Sequence, residues 1–236
     1  MNQLNESERI KIAYQKRKDK GLSKKYSLYN KANIHIVQER ERVQLSMLEN
    51  TIGSLTNKRI LDIGCGWGGT LKPFLFYGAK MDNCYGIDIL QDRIAKAKNE
   101  LPQMHFECCS AEDTSFPGES FDLVTMFTCL SSILEDNIRA GVCRKALEML
   151  KPGGWVLVYD FRVNNPNNKD VRAVRLNELR EYFSGCDFIS KRLTLLPPLA
   201  RRIAPVSTLI CSLLEFLPFL KTHRMTMFQK PVNNKG

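Results

Sequence analysis

Arg59 to Leu75 reads RILDIGCGWGGTLKPFL, a short apolar run broken by Asp62 and then by four glycines. A run of that length ending in glycine reads as a buried strand that enters a tight turn. Gly64-x-Gly66-x-x-Gly69 removes Cβ atoms where backbone must come close to something else, and the helix that follows offers unpaired N–H groups. Alone, this spacing fits a dinucleotide loop or a plain turn equally well. The segments around it have to decide.

Downstream, strand and helix patterns alternate. DNCYGIDIL reads as a strand and QDRIAKAKNELP as a helix stopped by Pro102; MHFECCSA and SFDLVTMFTCL read as two further strands. NIRAGVCRKALEMLKPGG reads as a helix with Ile138, Val142, Ala146, Leu147 and Leu150 inward, and WVLVYDF as the fifth strand. DFISKRLTLL and HRMTMFQK bring the expected strands to seven. Such alternation predicts an α/β fold, a doubly wound, mostly parallel, Rossmann-like sheet. In that fold ligands bind at the carboxyl ends of the strands. Asp88 ends the second strand, 22 residues after Gly66, where an acid accepts the hydroxyls of a ribose. CSAED ends the third, offering Ser110, Ala111 and Glu112 where an adenine edge would lie.

LDIGCGWGG, YGIDI, SAEDTSFPGESFDLV and LKPGGWVLVYDF together resemble the motifs of class I S-adenosylmethionine (SAM)-dependent methyltransferases. Among these they are most similar to the small-molecule enzymes of ubiquinone and menaquinone biosynthesis. The resemblance covers about residues 55–163. The Asp62-x-Gly-x-Gly form and the Lys151–Gly154 turn set it apart from nicotinamide enzymes. It implies S-adenosyl-L-methionine as cofactor. Asp62 would seat the methionyl ammonium, and Gly64, Cys65 and Gly66 would pass beneath the methionyl and ribose parts. Asp88 would hold the ribose, with Ile89 packed on the adenine and Ser110, Ala111 and Glu112 at its edge. Phe127 would flank the sulfonium. Relatives often carry an acid where this chain has Ser110.

The acceptor is less marked. Asp160, near the end of the fifth strand, is the candidate catalytic base; His35, Tyr26 and Tyr29 are candidates to close over the cofactor. Residues 1–50 read as an N-terminal helical extension or lid. Residues 51–236 read as the SAM-binding domain, with a helical insertion at about 196–222. There Val206, Leu209, Ile210, Leu213, Leu214 and Leu217 form one stripe between Pro205 and Pro218, after Arg201 and Arg202. That is too short to span a bilayer. It suits a lid helix, or an interfacial helix meeting a lipid-linked substrate at 203–220. The segments after strand five also resemble bacterial methyltransferases associated with surface-saccharide gene clusters.

The net charge of +10 admits an RNA acceptor. Against this, MFTCLSS follows the fourth strand in place of the Asn-Pro-Pro-Tyr type motif of amino methylases, and no Pro-Cys pair of the cytosine type occurs. Eight cysteines show no C-x-x-C pair or zinc spacing, so no metal is expected. They read as reduced thiols of a cytoplasmic protein, possible membrane contact being peripheral. The expectation is therefore a SAM-dependent methyltransferase acting on a small-molecule, sugar- or lipid-linked acceptor, on oxygen. The alternatives are an RNA methyltransferase and a non-catalytic SAM-binding subunit.

Overall fold

Why the glycine loop sits where it does follows from strand order. In the computed structural model, which describes residues 5–19 and 26–232, seven strands form one sheet ordered β3-β2-β1-β4-β5-β7-β6. These are β1 (Ile60–Ile63), β2 (Cys84–Asp88), β3 (His105–Cys108), β4 (Phe121–Phe127), β5 (Leu150–Phe161), β6 (Asp187–Leu195) and β7 (Lys221–Gln229). β1 pairs in parallel with both β2 and β4, so the order reverses at β1 and a crevice opens at its carboxyl end. β7 runs antiparallel between β5 and β6.

β1 is buried at every residue and β4 at all but one, as a parallel sheet covered on both faces requires. One face carries Leu123, Phe127, Leu157 and Tyr159 against Met47 and Leu48 of α2 (Lys31–Glu49). The other carries Val124, Met126, Val156 and Val158 against Val142 and Ala146 of α5 (Asp136–Met149) and Leu179 of α6 (Leu176–Tyr182). α3 (Lys72–Phe76) and α4 (Gln91–Glu100) connect the first strands; α3 is shorter than the periodicity predicts, with Pro73 in its first turn. Leu150, expected on α5, instead opens β5.

The direction of the expected apolar stripe needs correcting. The helix expected between Pro205 and Pro218 is α8 (Thr208–Leu214), begun by the Ser207 cap, which accepts the Ile210 N–H at 3.3 Å, and a further helix, α7 (Pro197–Ile203), precedes it. They pack on α2 through Ala32, Ala200, Ala204 and Cys211, so most of the predicted stripe faces outward. On α2 the buried stripe includes His35, Glu39 and Gln44. His35 Nε2 meets Glu215 Oε1 at 2.6 Å and Glu39 accepts the Thr194 N–H at 2.8 Å, which anchors α2 to α8 and β6. Apolar periodicity cannot register such residues, because they are buried through hydrogen bonds.

Candidate cofactor site

At the end of β1 the chain turns through Gly64 and Gly66 with φ of 78° and 56°, the left-handed region where a side chain costs about 1–2 kcal/mol. The Gly64 and Cys65 N–H groups both donate to Ile87 O, at 2.8 and 3.0 Å, which staples the loop to β2. The Gly66 N–H donates to Asp88 Oδ2 and the Leu90 N–H to Asp88 Oδ1, both at 2.9 Å. An ionised carboxylate offers about four lone-pair directions, so Asp88 keeps capacity for two hydroxyls on its crevice side. Burial raises its pKa, and a pair of donors would favour the charged form.

Asp62 lies fully buried under the loop, taking hydrogen bonds from the Thr125 hydroxyl at 2.7 Å and from the Thr70 hydroxyl. Burial still pushes its pKa up to about 7, so a cationic ligand nearby would draw it into the charged form. Cys65 is buried and its thiol is pushed far above the ordinary range by burial, which leaves it a small packing residue.

The structure adds Arg40. Its guanidinium stands over the rings of Phe127 at 5.7 Å and Tyr159 at 5.9 Å, and its side chain is only 20% exposed. Its Nε is buried with no hydrogen-bond partner, and its charge acts on Asp62 and on His223. A buried donor left unpaired costs about 1–3 kcal/mol. Beside a loop suited to a methionyl nucleoside, a carboxylate is the group that would satisfy it. In the sequence Arg40 shares a helical face with Ile36, Val37, Val43, Gln44, Met47 and Leu48, and that spacing alone assigns it no role.

Other expected residues divide. Phe127 is buried at the end of β4, and the next residue, Thr128, takes φ of 50° while its N–H donates to Tyr159 O at 2.7 Å. Ile89 follows Asp88, half-buried. The Ser110 hydroxyl is engaged by Asp113, donating to its Oδ2 at 2.7 Å, so this residue offers a ligand mainly backbone. Ala111 is buried on the α5 face, and the Glu112 side chain lies against Gly141 of α5 rather than standing over the crevice. Asp160 accepts the Ser131 N–H at 2.9 Å and the Phe161 N–H at 2.8 Å; burial pushes its pKa to about 6.

The candidate lid residues are also reassigned. Tyr29 is fully exposed, Tyr26 points outward and His35 is held by Glu215. The residues over the crevice come from α1 (Glu6–Asp19). At one end Arg93 lies 4.2 Å from the Tyr14 ring and Lys18 pairs with Asp92 at 3.2 Å; at the other Arg9 donates to Ser132 O and Glu6 accepts the Leu134 N–H. At about 1.5 Å per residue, α1 is long enough to bridge the ends of β2 and β4. Among the described residues no cluster of His, Cys, Asp and Glu is arranged to hold a metal ion.

Residues 60–154 match the family model described as "Methyltransferase domain". The ubiquinone biosynthesis O-methyltransferase of Bordetella bronchiseptica is 30% identical over 133 residues, 54% of this chain and 51% of its own length. The tRNA N(3)-cytidine methyltransferase METTL2 of Gallus gallus is 30% identical over 48% of this chain and 33% of its own. The phthiotriol/phenolphthiotriol dimycocerosates methyltransferase 1 of Mycobacterium ulcerans is 29% identical over 56% and 49%. The chain thus spans about half, or less, of the length of these relatives. Among solved structures, the Burkholderia thailandensis 1,6-didemethyltoxoflavin-N1-methyltransferase, with bound S-adenosylhomocysteine, superposes with a TM-score of 0.59 at 17% identity, over 81% of this chain and 78% of its own. The [4+2]-cyclase SpnF gives 0.59 at 19% identity, over 82% and 81%. These two likenesses establish the fold.

Proposed function

We propose that the class I S-adenosylmethionine-dependent methyltransferase domain carried by this chain moves the methyl group of S-adenosyl-L-methionine onto an oxygen of a small-molecule, sugar-linked or lipid-linked acceptor. The observation that carries this reading is the half-buried Arg40, whose Nε has no hydrogen-bond partner and whose charge acts on Asp62 beneath the loop that Asp88 also braces. When bound, the cofactor supplies an electrophilic methyl group on a sulfonium. Asp88 would hold the ribose hydroxyls, Arg40 the methionyl carboxylate and Asp62 the charge of the ammonium. Ile89 and the backbone at Ser110–Glu112 would border the adenine, and Phe127 the sulfonium. α1 is read as the lid: closing it excludes water and holds the nucleophile in line, the main source of rate in a displacement of this kind. We read Asp160 as positioning the 130–132 turn through its two backbone bonds rather than as the proton acceptor.

A lipid-linked acceptor is favoured by α8. Val206 is 86%, Leu209 69%, Phe216 82% and Phe219 72% exposed. The only acid between residues 196 and 221 is Glu215, which faces His35. Arg201, Arg202 and Lys221 lie in the same segment, a composition suited to the surface of an anionic bilayer. No helix among the described residues is long and apolar enough to cross a membrane. The RNA reading keeps the net charge and the likeness to a tRNA enzyme on its side.

The test is transfer of labelled methyl from SAM into separated lipid, small-molecule and RNA fractions of cell extracts. Label in the lipid or small-molecule fraction is expected, and Arg40→Met should raise KM for SAM about 10- to 100-fold, the scale of a charged hydrogen bond. Label confined to RNA, falling steeply with salt, would replace this reading with the second one. SAM binding without label anywhere would leave a binding subunit.

A further inference from the structure

On the sheet face turned away from α2, three arginines stand together. Lys191 of β6 reaches Ser46 of α2 at 3.4 Å, so Arg192, the next residue along the strand, points to the other face. Arg192 sits directly across from Arg224 of β7, and Arg224 across from Asp160 of β5. Arg162 lies two residues beyond Asp160 on that same face, its Nη1 donating to Lys221 O at 2.7 Å. Asp160 takes hydrogen bonds from two backbone amides and forms no ion pair with any of the three among the described residues; the arginine whose charge acts on it is Arg139 of α5. Among the described residues none of the three arginines makes an ion pair. The Arg224 Nε is buried and unbonded, while Arg192 is open to solvent, as are all residues of β6 from Asp187 to Arg192. Burial, and then the charges of Arg192 and Arg162, push the Arg224 guanidinium below its ordinary range. Like charges directly across a ladder destabilise a sheet, and among the described residues no ion pair offsets these.

We propose that Arg162, Arg192 and Arg224 form a binding site for a phosphate or diphosphate group. The guanidinium forks suit phosphoryl oxygens, which accept paired hydrogen bonds and neutralise adjacent cations. This deepens the function proposed above, because it gives the acceptor a phosphorylated group; binding itself does not depend on methyl transfer.

The test uses the full chain without SAM. Inorganic pyrophosphate, followed by calorimetry, should bind the wild type and raise its melting temperature. Arg224→Met and Arg192→Gln should each weaken that binding about tenfold or more, as loss of a charged contact does. Neither should alter affinity for S-adenosylhomocysteine, and Arg192→Gln should melt no lower than the wild type because a repulsion is removed. A second arm measures sedimentation with phosphatidylglycerol vesicles. Weakening by the variants with pyrophosphate marks a soluble or acceptor-borne phosphate; weakening with vesicles alone marks a lipid headgroup. No binding in either arm, binding unchanged by both variants, or a loss of S-adenosylhomocysteine affinity in step with stability would overturn the proposal. Failure here, with cofactor binding intact, leaves the methyltransferase reading standing.

Discussion

Replacing Arg139 by leucine is expected to cost about 3–5 kcal/mol of stability, the scale of a buried ion pair broken from one side. Arg139 projects from α5 with no exposed surface. Its Nε donates to Leu130 O and Ile133 O, both at 2.8 Å; Nη1 donates to Glu178 Oε1 at 2.7 Å, and Nη2 to Arg172 O at 3.2 Å. One side chain therefore ties the turn after β4 to the segment that leads into α6. Without it several carbonyls lose their donor, and Glu178 is left with Arg172, Tyr182 and the Arg175 N–H. For a chain of this size the melting temperature should fall by roughly 6–20 °C. The same turn presents Ser131 to Asp160 and Ser132 to Arg9 of α1, so cofactor affinity should fall too. A leucine variant that melts within a degree or two of the wild type would refute this role.

Gly64→Ala is expected to damage the site more than the fold. Its φ of 78° is strained for any side chain, and the new Cβ would stand 2.9 Å from Cys129 Sγ and 3.1 Å from Cys129 Cβ. Left-handed strain of about 1–2 kcal/mol adds to an overpacking cost of about 1–3 kcal/mol. The loop can relieve both by shifting away from the end of β4. A shift of about 1 Å between groups that must align costs on the order of a hundredfold in function, so S-adenosylhomocysteine affinity should drop by about that factor. Calorimetry decides: unchanged affinity would mean that the loop does not lie against the ligand.

How much of this could be read from the chain depends on which residues carry each feature. β1, β2, β4 and β5 are apolar runs bounded by glycine, proline or an acid, so their succession along the chain and the fold class followed from pattern, while the reversal of strand order at β1 came from the structure. The places of Gly64, Gly66 and Asp88 at strand ends were legible because a strand end leaves few alternatives for an acid or a glycine; Asp62 entered through the family resemblance. Arg40, Tyr14 and Arg139 were not, because their roles depend on which distant segment they meet. Arg40 stands on α2 and meets rings from β4 and β5; Tyr14 meets Arg93 of α4. His35, expected to close over the cofactor, is instead bonded to Glu215, and with Glu39, bonded to the Thr194 N–H, it occupies a buried position that apolar periodicity does not register. The α8 stripe shows the converse. Helical spacing of apolar residues indicates a face that needs a partner, and among the described residues much of that face has none.

The most direct measurement is calorimetric titration of S-adenosylhomocysteine into the wild type and Asp88→Ala. Asp88 joins the Gly66 and Leu90 amides to the place where two hydroxyls would bind. The alanine variant should bind about 1–3 kcal/mol more weakly, roughly 5- to 150-fold, with the chain still folded. Wild-type affinity in that variant would contradict the assignment of this crevice to the cofactor.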